Sequence, residues 1–229
     1  MRVTGGEYGG RRIDVPPGEI RPAMDRMRES VFSILGSALG SLQGTTVLDL
    51  FSGSGSMALE ALSRGARSAV LVERDRGKAT VVRKNLSYVE PERWKLVIAP
   101  VERYLKRAGG AANPGGAAGG GGGPKDAAGP GDAATPRAAA TPGGAATPGG
   151  ASGPPFDLVF CDPPFRYPHK DRLLATIATA GVLAPGGRLV IHYPREDRLT
   201  GEVAGLTLVD ERAYGRSIVH MYEPVPTGS

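Results

Sequence analysis

Between Ala108 and Pro155 the chain carries no Leu, Ile, Val or aromatic residue, and this limits the possible folds more than any other feature. A segment without those side chains has almost no apolar surface to bury, so nothing offsets the entropy that ordering it would cost. Its charges are Lys125, Asp126, Asp132 and Arg137, which balance, and Ala-Ala-Thr-Pro recurs from Ala133, Ala139 and Ala145. The composition predicts a disordered Gly/Ala/Pro-rich insertion over 108–155. It offers no ring or cationic excess to serve as an RNA tether. Of the 229 residues, roughly 180 are left for one domain, built from 21–107 and 156–224. Loop closure costs about 0.6 kcal/mol per doubling of length, so an eightfold longer connection costs on the order of 2 kcal/mol, which a domain tolerates.

The two remaining blocks alternate between strand and helix patterns. Short runs at 2–4 and 12–15 flank a Gly-rich turn, and Pro16-Pro17 stops the second run, so residues 1–20 read as a small β-hairpin extension. Met24, Met27, Val31, Phe32, Ile34 and Leu35 recur at helical spacing, with Arg26, Arg28 and Glu29 on other faces. After a strand ending near Leu50 the patterns predict helix 56–64, strand 69–73, helix 76–88, strand 95–99 and a short helix at 101–107. Beyond the insertion come strand 157–161, helix 170–180 and strand 187–192. Alternation of this kind makes a parallel sheet covered by helices on both faces. Two last strands, 206–210 and 217–222, have no helix between them and should pair antiparallel. The fold class is therefore α/β, with a seven-stranded, mostly parallel sheet.

Two loops carry the chemistry. Thr46-Val47-Leu48-Asp49-Leu50-Phe51-Ser52-Gly53-Ser54-Gly55-Ser56 is strand, glycine turn and helix start, where small residues let the backbone approach a ligand. Read as a pattern, Gly53 to Ala58 also fits a dinucleotide fingerprint, a weak signal alone. Glu73 ends the next strand, where a carboxylate can hold ribose hydroxyls. Asp49 adds a negative charge that a dinucleotide would not welcome but a sulfonium and amino group would. Asp162-Pro163-Pro164-Phe165 follows the apolar run 156–161. Two prolines stiffen the exit from that strand. The Asp162 carboxylate and the Pro163 carbonyl can accept both protons of an exocyclic amine, while Phe165 can stack on its ring.

Five parallel strands closed by an antiparallel hairpin resemble the class I S-adenosylmethionine-dependent methyltransferases. Segments outside that shared core narrow the likeness. Residues 1–12, Arg21-Pro22-Ala23-Met24-Asp25-Arg26-Met27-Arg28-Glu29-Ser30-Val31-Phe32, Leu48 to Gly55, Leu59 to Ala66 and Arg212-Ala213-Tyr214-Gly215-Arg216-Ser217 resemble the bacterial RsmD family. These enzymes methylate N2 of a guanine in small-subunit ribosomal RNA. The resemblance covers the chain except the insertion. It implies S-adenosylmethionine held by Asp49, Phe51, Ser52, Gly53, Gly55, Glu73 and the Val101 backbone, with Asp162, Pro163, Pro164 and Phe165 catalytic. The implied partner is small-subunit rRNA or the assembling 30S particle, met by a monomer. Two positions depart from the family: Ala23-Met24 stands where Thr-Thr is more frequent, and Pro100 where a polar residue is common.

The formal charge of +5 suits a polyanionic partner. Arg2, Arg11 and Arg12 in the hairpin, Arg21 before the first helix and Arg166 after the motif are candidate RNA contacts. The single cysteine, Cys161, permits no intramolecular disulfide and forms no metal site alone. No secretory signal or bilayer-length apolar run is present, so a soluble cytoplasmic protein without a metal is expected. Three other readings compete. A DNA adenine-N6 methyltransferase shares the Asp-Pro-Pro-Phe motif, a nicotinamide oxidoreductase shares only the glycine loop, and a catalytically inactive RNA-binding module would share the fold.

Overall fold

The computed structural model describes residues 1–16, 23–111, 155–197, 199, 201 and 203–225. Arg21 and nearly all of the expected insertion 108–155 lie outside the described residues.

The helices are α1 (Ala23–Leu39), α2 (Ser56–Ser63), α3 (Arg76–Asn85), α4 (Val101–Ala111) and α5 (Lys170–Thr179). The strands are β1 (Thr46–Leu50), β2 (Ser68–Glu73), β3 (Trp94–Ile98), β4 (Phe156–Cys161), β5 (Leu183–Pro194), β6 (Leu206–Tyr214) and β7 (Ser217–Pro224). All seven form one sheet in the order β3-β2-β1-β4-β5-β7-β6. The first five are parallel, and β7 runs antiparallel between β5 and β6. Chain order reverses between β1 and β4. The crossovers on either side of that point leave a crevice at the carboxyl ends of the strands, where open α/β sheets bind ligands.

Side-chain alternation divides the core into two layers. On one face Val47, Leu71, Phe160 and Val190 pack with Phe32, Leu35, Leu59 and Leu62 of α1 and α2. On the other, Leu48, Leu50, Val159 and Ile191 pack with Leu105, Leu173, Leu174 and Ile177 of α4 and α5. Central β1 is buried along its whole length, which is why it reads as a continuous apolar run broken only by Asp49.

The boundaries differ from expectation in instructive ways. α3 stops at Asn85, not at residue 88, because Leu86 leaves the helix and Val89 N–H turns back to the Leu86 carbonyl at 3.0 Å. β5 begins at Leu183, before its Gly186-Gly187 pair, since Phe156 pairs with Leu183 ahead of a register shift. The terminal hairpin continues to Tyr214 and turns through Gly215-Arg216 alone, with Gly215 at φ 61°. Among the described residues the N-terminal hairpin has one bridge, Arg2 to Arg12. Backbone bonds close the segment on itself, Val3 N–H to the Arg11 carbonyl and Ile13 N–H to the Met1 carbonyl at 2.9 Å each, and others reach α2: Glu7 N–H donates to the Ser63 carbonyl at 2.7 Å, and Thr4 N–H to Glu60 at 2.8 Å.

Arg28, which the sequence reading sets off the apolar stripe of α1, is nevertheless only 1% exposed. Fully buried Glu60 of α2 supplies the reason. Its carboxylate receives Arg28 Nε at 3.3 Å and Arg64 Nε at 2.9 Å, while Arg28 also reaches Asp25 at 2.9 Å and the Arg2 carbonyl. This ion network ties the N-terminal segment and α1 to α2.

Candidate active site

Strand register sets the geometry of the site. Leu50 pairs with Val72 on one side and Cys161 on the other, and Cys161 pairs with Ile191. One residue further on, Glu73, Phe51, Asp162 and His192 therefore stand in a row along the sheet edge. A cavity of about 300 Å³ opens there. It is lined by the expected Asp49, Phe51, Ser52, Gly53, Glu73 and Val101 together with Asp162, Pro163, Pro164 and Phe165. The two sequence motifs, more than 100 residues apart, thus share one crevice.

Two carboxylates shape the glycine loop. Asp49 Oδ2 accepts the Ala58 N–H at 3.2 Å, and Glu73 accepts the N–H groups of Gly53 and Asp75 at 3.0 and 2.8 Å. Phe51 takes a left-handed φ of 60° to leave β1, an uncommon conformation for an aromatic residue that the surrounding contacts must sustain. Ser52 N–H bonds the Val72 carbonyl at 3.1 Å, and the Phe51 ring meets Tyr167 edge-on at 5.2 Å. Gly55 is not part of the cavity wall. It precedes α2 at φ 75°, and a Cβ there would stand 3.1 Å from Leu86 and 3.2 Å from Leu71, so its small size serves packing beneath the loop.

Asp49 is the electrostatic anomaly. Burial pushes its carboxyl up to about 8, against the lowering by the Ala58 amide and helped by the charges of Asp162 and Glu73. Without a ligand the buried Asp49 therefore holds its proton near neutral pH, and a cationic ligand placed beside it, Asp162 and Glu73 would favour its ionised form. Arg74, Lys78, Asp75 and Glu102 complete the rim. The N–H groups of the first turn of α4, beginning at Val101, have no partner within the helix and can meet a polar ligand edge.

The Asp162 loop is held firmly. Tyr167 N–H closes a turn on the Pro164 carbonyl at 2.7 Å. Among the described residues no donor reaches the Pro163 carbonyl, so it is left to accept from a ligand. Two residues brace this loop: Lys170, at the end of the stretch 166–170 expected to flank the substrate nucleotide, and His192, for which the sequence suggests no role. Lys170, only 4% exposed, donates to the carbonyls of Phe165 and Tyr167 at 2.9 Å each and pairs with Asp197 at 2.6 Å. His192, at the end of β5, places Nδ1 2.8 Å from Asp162 Oδ1. A lysine opening a helix gave no sign of burial. His192 was detectable only from sheet order, which sets β5 beside β4. His169 is an exposed residue at φ 55° before α5.

The hairpin arginines proposed for RNA lie elsewhere. Arg2 bonds the Gly10 carbonyl at 2.7 Å, Arg11 stacks over Tyr88 at 4.2 Å, and Arg12 is largely exposed beside Asp14. Arg166 is exposed next to the motif. Asn85 connects the hairpin to the site, accepting the Asp14 N–H at 2.9 Å and donating to the Asp14 and Ser54 carbonyls. Cys161 is a buried free thiol. Among the described residues no cluster suited to a metal is present, and no helix is long and apolar enough to cross a membrane.

A parallel sheet closed by an antiparallel hairpin, with glycine loop and acidic motif at adjacent strand ends, defines the class I methyltransferase fold. The chain belongs to the family described as Conserved hypothetical protein 95, whose model matches residues 1–114 and 144–223. It is 27% identical to ribosomal RNA small subunit methyltransferase D of Escherichia coli K12 over 225 residues, covering 97% of this chain and 89% of that protein. The protein of the same name from Haemophilus influenzae is 24% identical over 227 residues, covering 97% of this chain and 93% of its own. The solved structure of Escherichia coli yhhF, named provisionally as a methyltransferase, superposes with a TM-score of 0.68 at 24% identity. It covers 98% of this chain and 97% of that one.

Proposed function

We propose that this protein transfers a methyl group from S-adenosylmethionine to the exocyclic N2 of a guanine in small-subunit ribosomal RNA. The observation that carries the reading is the pairing of Asp162 and the unclaimed Pro163 carbonyl with a buried, acid-lined glycine-loop pocket one strand away. The names of the Escherichia coli and Haemophilus relatives support ribosomal RNA as the substrate class. The choice of guanine over adenine rests on the family resemblance, since the motif grips either amine. The enzyme acts in the cytoplasm, as a monomer, on rRNA or the assembling 30S particle.

Asp49 would hold the cationic end of the donor, Glu73 the ribose hydroxyls, and the Val101 backbone the adenine edge. Phe51, Ser52 and Gly53 form the loop against which the donor would lie. S-adenosylmethionine supplies an electrophilic methyl whose bond to sulfur breaks as the bond to nitrogen forms, leaving a neutral thioether. A guanine amine is a poor nucleophile because its lone pair is delocalised into the ring. Asp162 and the Pro163 carbonyl accept its two protons, fixing the nitrogen in line with the methyl and favouring the tetrahedral form. Phe165 stacks on the base once it is turned out of its helix. The alkylated nitrogen is strongly acidic and gives up its extra proton to Asp162, which is one-third exposed and passes it to water. Pro163 and Pro164 keep this geometry stiff by removing backbone freedom.

The test is transfer of tritiated methyl from S-adenosylmethionine to undermethylated small-subunit RNA and to assembled subunits, comparing wild type with Asp162→Ala. The wild type labels RNA, and the variant loses at least about 100-fold in rate while donor affinity holds within about threefold. Equal rates in the two proteins would remove Asp162 from the chemistry.

A further inference from the structure

We infer that His192 is a positioning residue for Asp162, fixing one carboxylate oxygen so that the other is presented to the substrate amine. His192 Nδ1 lies 2.8 Å from Asp162 Oδ1, and the residue is 5% exposed in the wall of the cavity. Its Nε2 is buried and has no hydrogen-bond partner among the described residues. That pair of facts selects the tautomer. An ionised carboxylate only accepts, so Nδ1 carries the proton and donates it, leaving a bare lone pair at Nε2. The opposite tautomer would set two acceptors against each other and bury an orphan N–H.

The arrangement has the geometry a carboxylate needs. Asp162 follows the last residue of β4 and its side chain is one-third exposed, so without a second anchor its carboxylate rotates about χ2. An imidazole on β5 cannot rotate in the same way. The Phe165 ring packs edge-on to it at 5.5 Å, and its neighbours Ile191 and Tyr193 are buried strand residues. His192 thus connects the proton acceptor and the stacking ring of the motif to the sheet through one side chain. A glycine loop or a Pro-Pro turn supplies neither constraint.

This inference rests on the methyltransferase reading but fails separately from it. Methyl transfer to small-subunit RNA is measured for wild type, His192→Phe, His192→Asn, Asp162→Asn and the double variant Asp162→Asn/His192→Phe. Donor binding and thermal unfolding are measured on each protein. Asn places its Nδ2 as many bonds from Cα as the imidazole Nδ1, so it keeps the donor. Phe keeps the bulk and loses the donor. The expected result is a kcat roughly 10- to 100-fold lower for His192→Phe with donor affinity unchanged, and recovery to within about fivefold of wild type for His192→Asn. In the Asp162→Asn background the Phe substitution adds no further loss, because its effect passes through Asp162. Unchanged kcat in His192→Phe, equal losses in the Phe and Asn variants, or additive losses in the double variant would overturn the assignment. If wild type labels no RNA at all, the methyltransferase reading itself fails.

Discussion

Asp49 shows how a single buried acid couples stability to ligand binding. Its folded value of about 8 stands above the ordinary 3.8, so between these limits the native state holds a proton that the unfolded chain has lost. Stability from this group therefore falls as pH rises from about 4 to about 8 and levels off above that. Asp49→Asn removes the penalty. At pH 8 the ligand-free variant should be more stable by about 1–3 kcal/mol, and its unfolding midpoint should decline less between about pH 5 and pH 9. The same variant should lose any preference for S-adenosylmethionine over the uncharged thioether product, measured by titration calorimetry. A steeper pH decline than wild type, or an intact preference, would show that Asp49 does not face the cation. Asp49 was recognisable in the sequence because a carboxylate interrupts an otherwise apolar strand. The direction of its shift was not, since that depends on burial and on Asp162 and Glu73 being brought close by chain segments distant in sequence.

At the scale of elements, the anchors of the motif loop and of the N-terminal segment are ion pairs that periodicity conceals. Arg28 and Glu60 look like ordinary helix-surface charges until α1 and α2 are packed together. Glu60→Gln leaves the Arg28 guanidinium buried without its full partner, and the expected loss is about 3–5 kcal/mol in denaturant unfolding; a loss under about 1 kcal/mol would mean that the network is solvated. Lys170→Met strips two carbonyls of the motif loop of their donor. Its kcat should fall about 10-fold with donor affinity unchanged, and a variant altered in donor affinity alone would place Lys170 in a different role. Strand and helix identities were legible because β1 and β4 are short, nearly continuous apolar runs and the 3.6 period is clear in α5. The early start of β5 was not, because Gly186-Gly187 reads as a turn and only pairing to Phe156 makes Leu183 part of a strand. The N-terminal hairpin was legible as two runs and a turn. Its hydrogen bonds to α2, from Glu7 to Ser63 and from Thr4 to Glu60, are encoded by no local pattern.

For the whole molecule, the glycine loop and the Asp162 motif could each be read from residues alone, and sheet order put them together at the switch point. The sequence did not disclose His192, because strand adjacency in space, not in the chain, makes it a neighbour of Asp162. The RNA surface is the least local feature. Reversing charge at Arg11 and Arg12 together should weaken RNA binding and lower the slope of log affinity against log salt by about 1–2, with donor binding intact; an unchanged slope would move the contact surface away from the hairpin. The central claim is that one row of strand ends methylates a guanine amine in small-subunit RNA, and nucleoside identification of the product tests it most directly. RNA from undermethylated subunits, treated with enzyme and donor and then digested, should yield N2-methylguanosine at one position, and none with Asp162→Ala. Methyl on adenine N6, or N2-methylguanosine formed equally by the variant, would contradict the account.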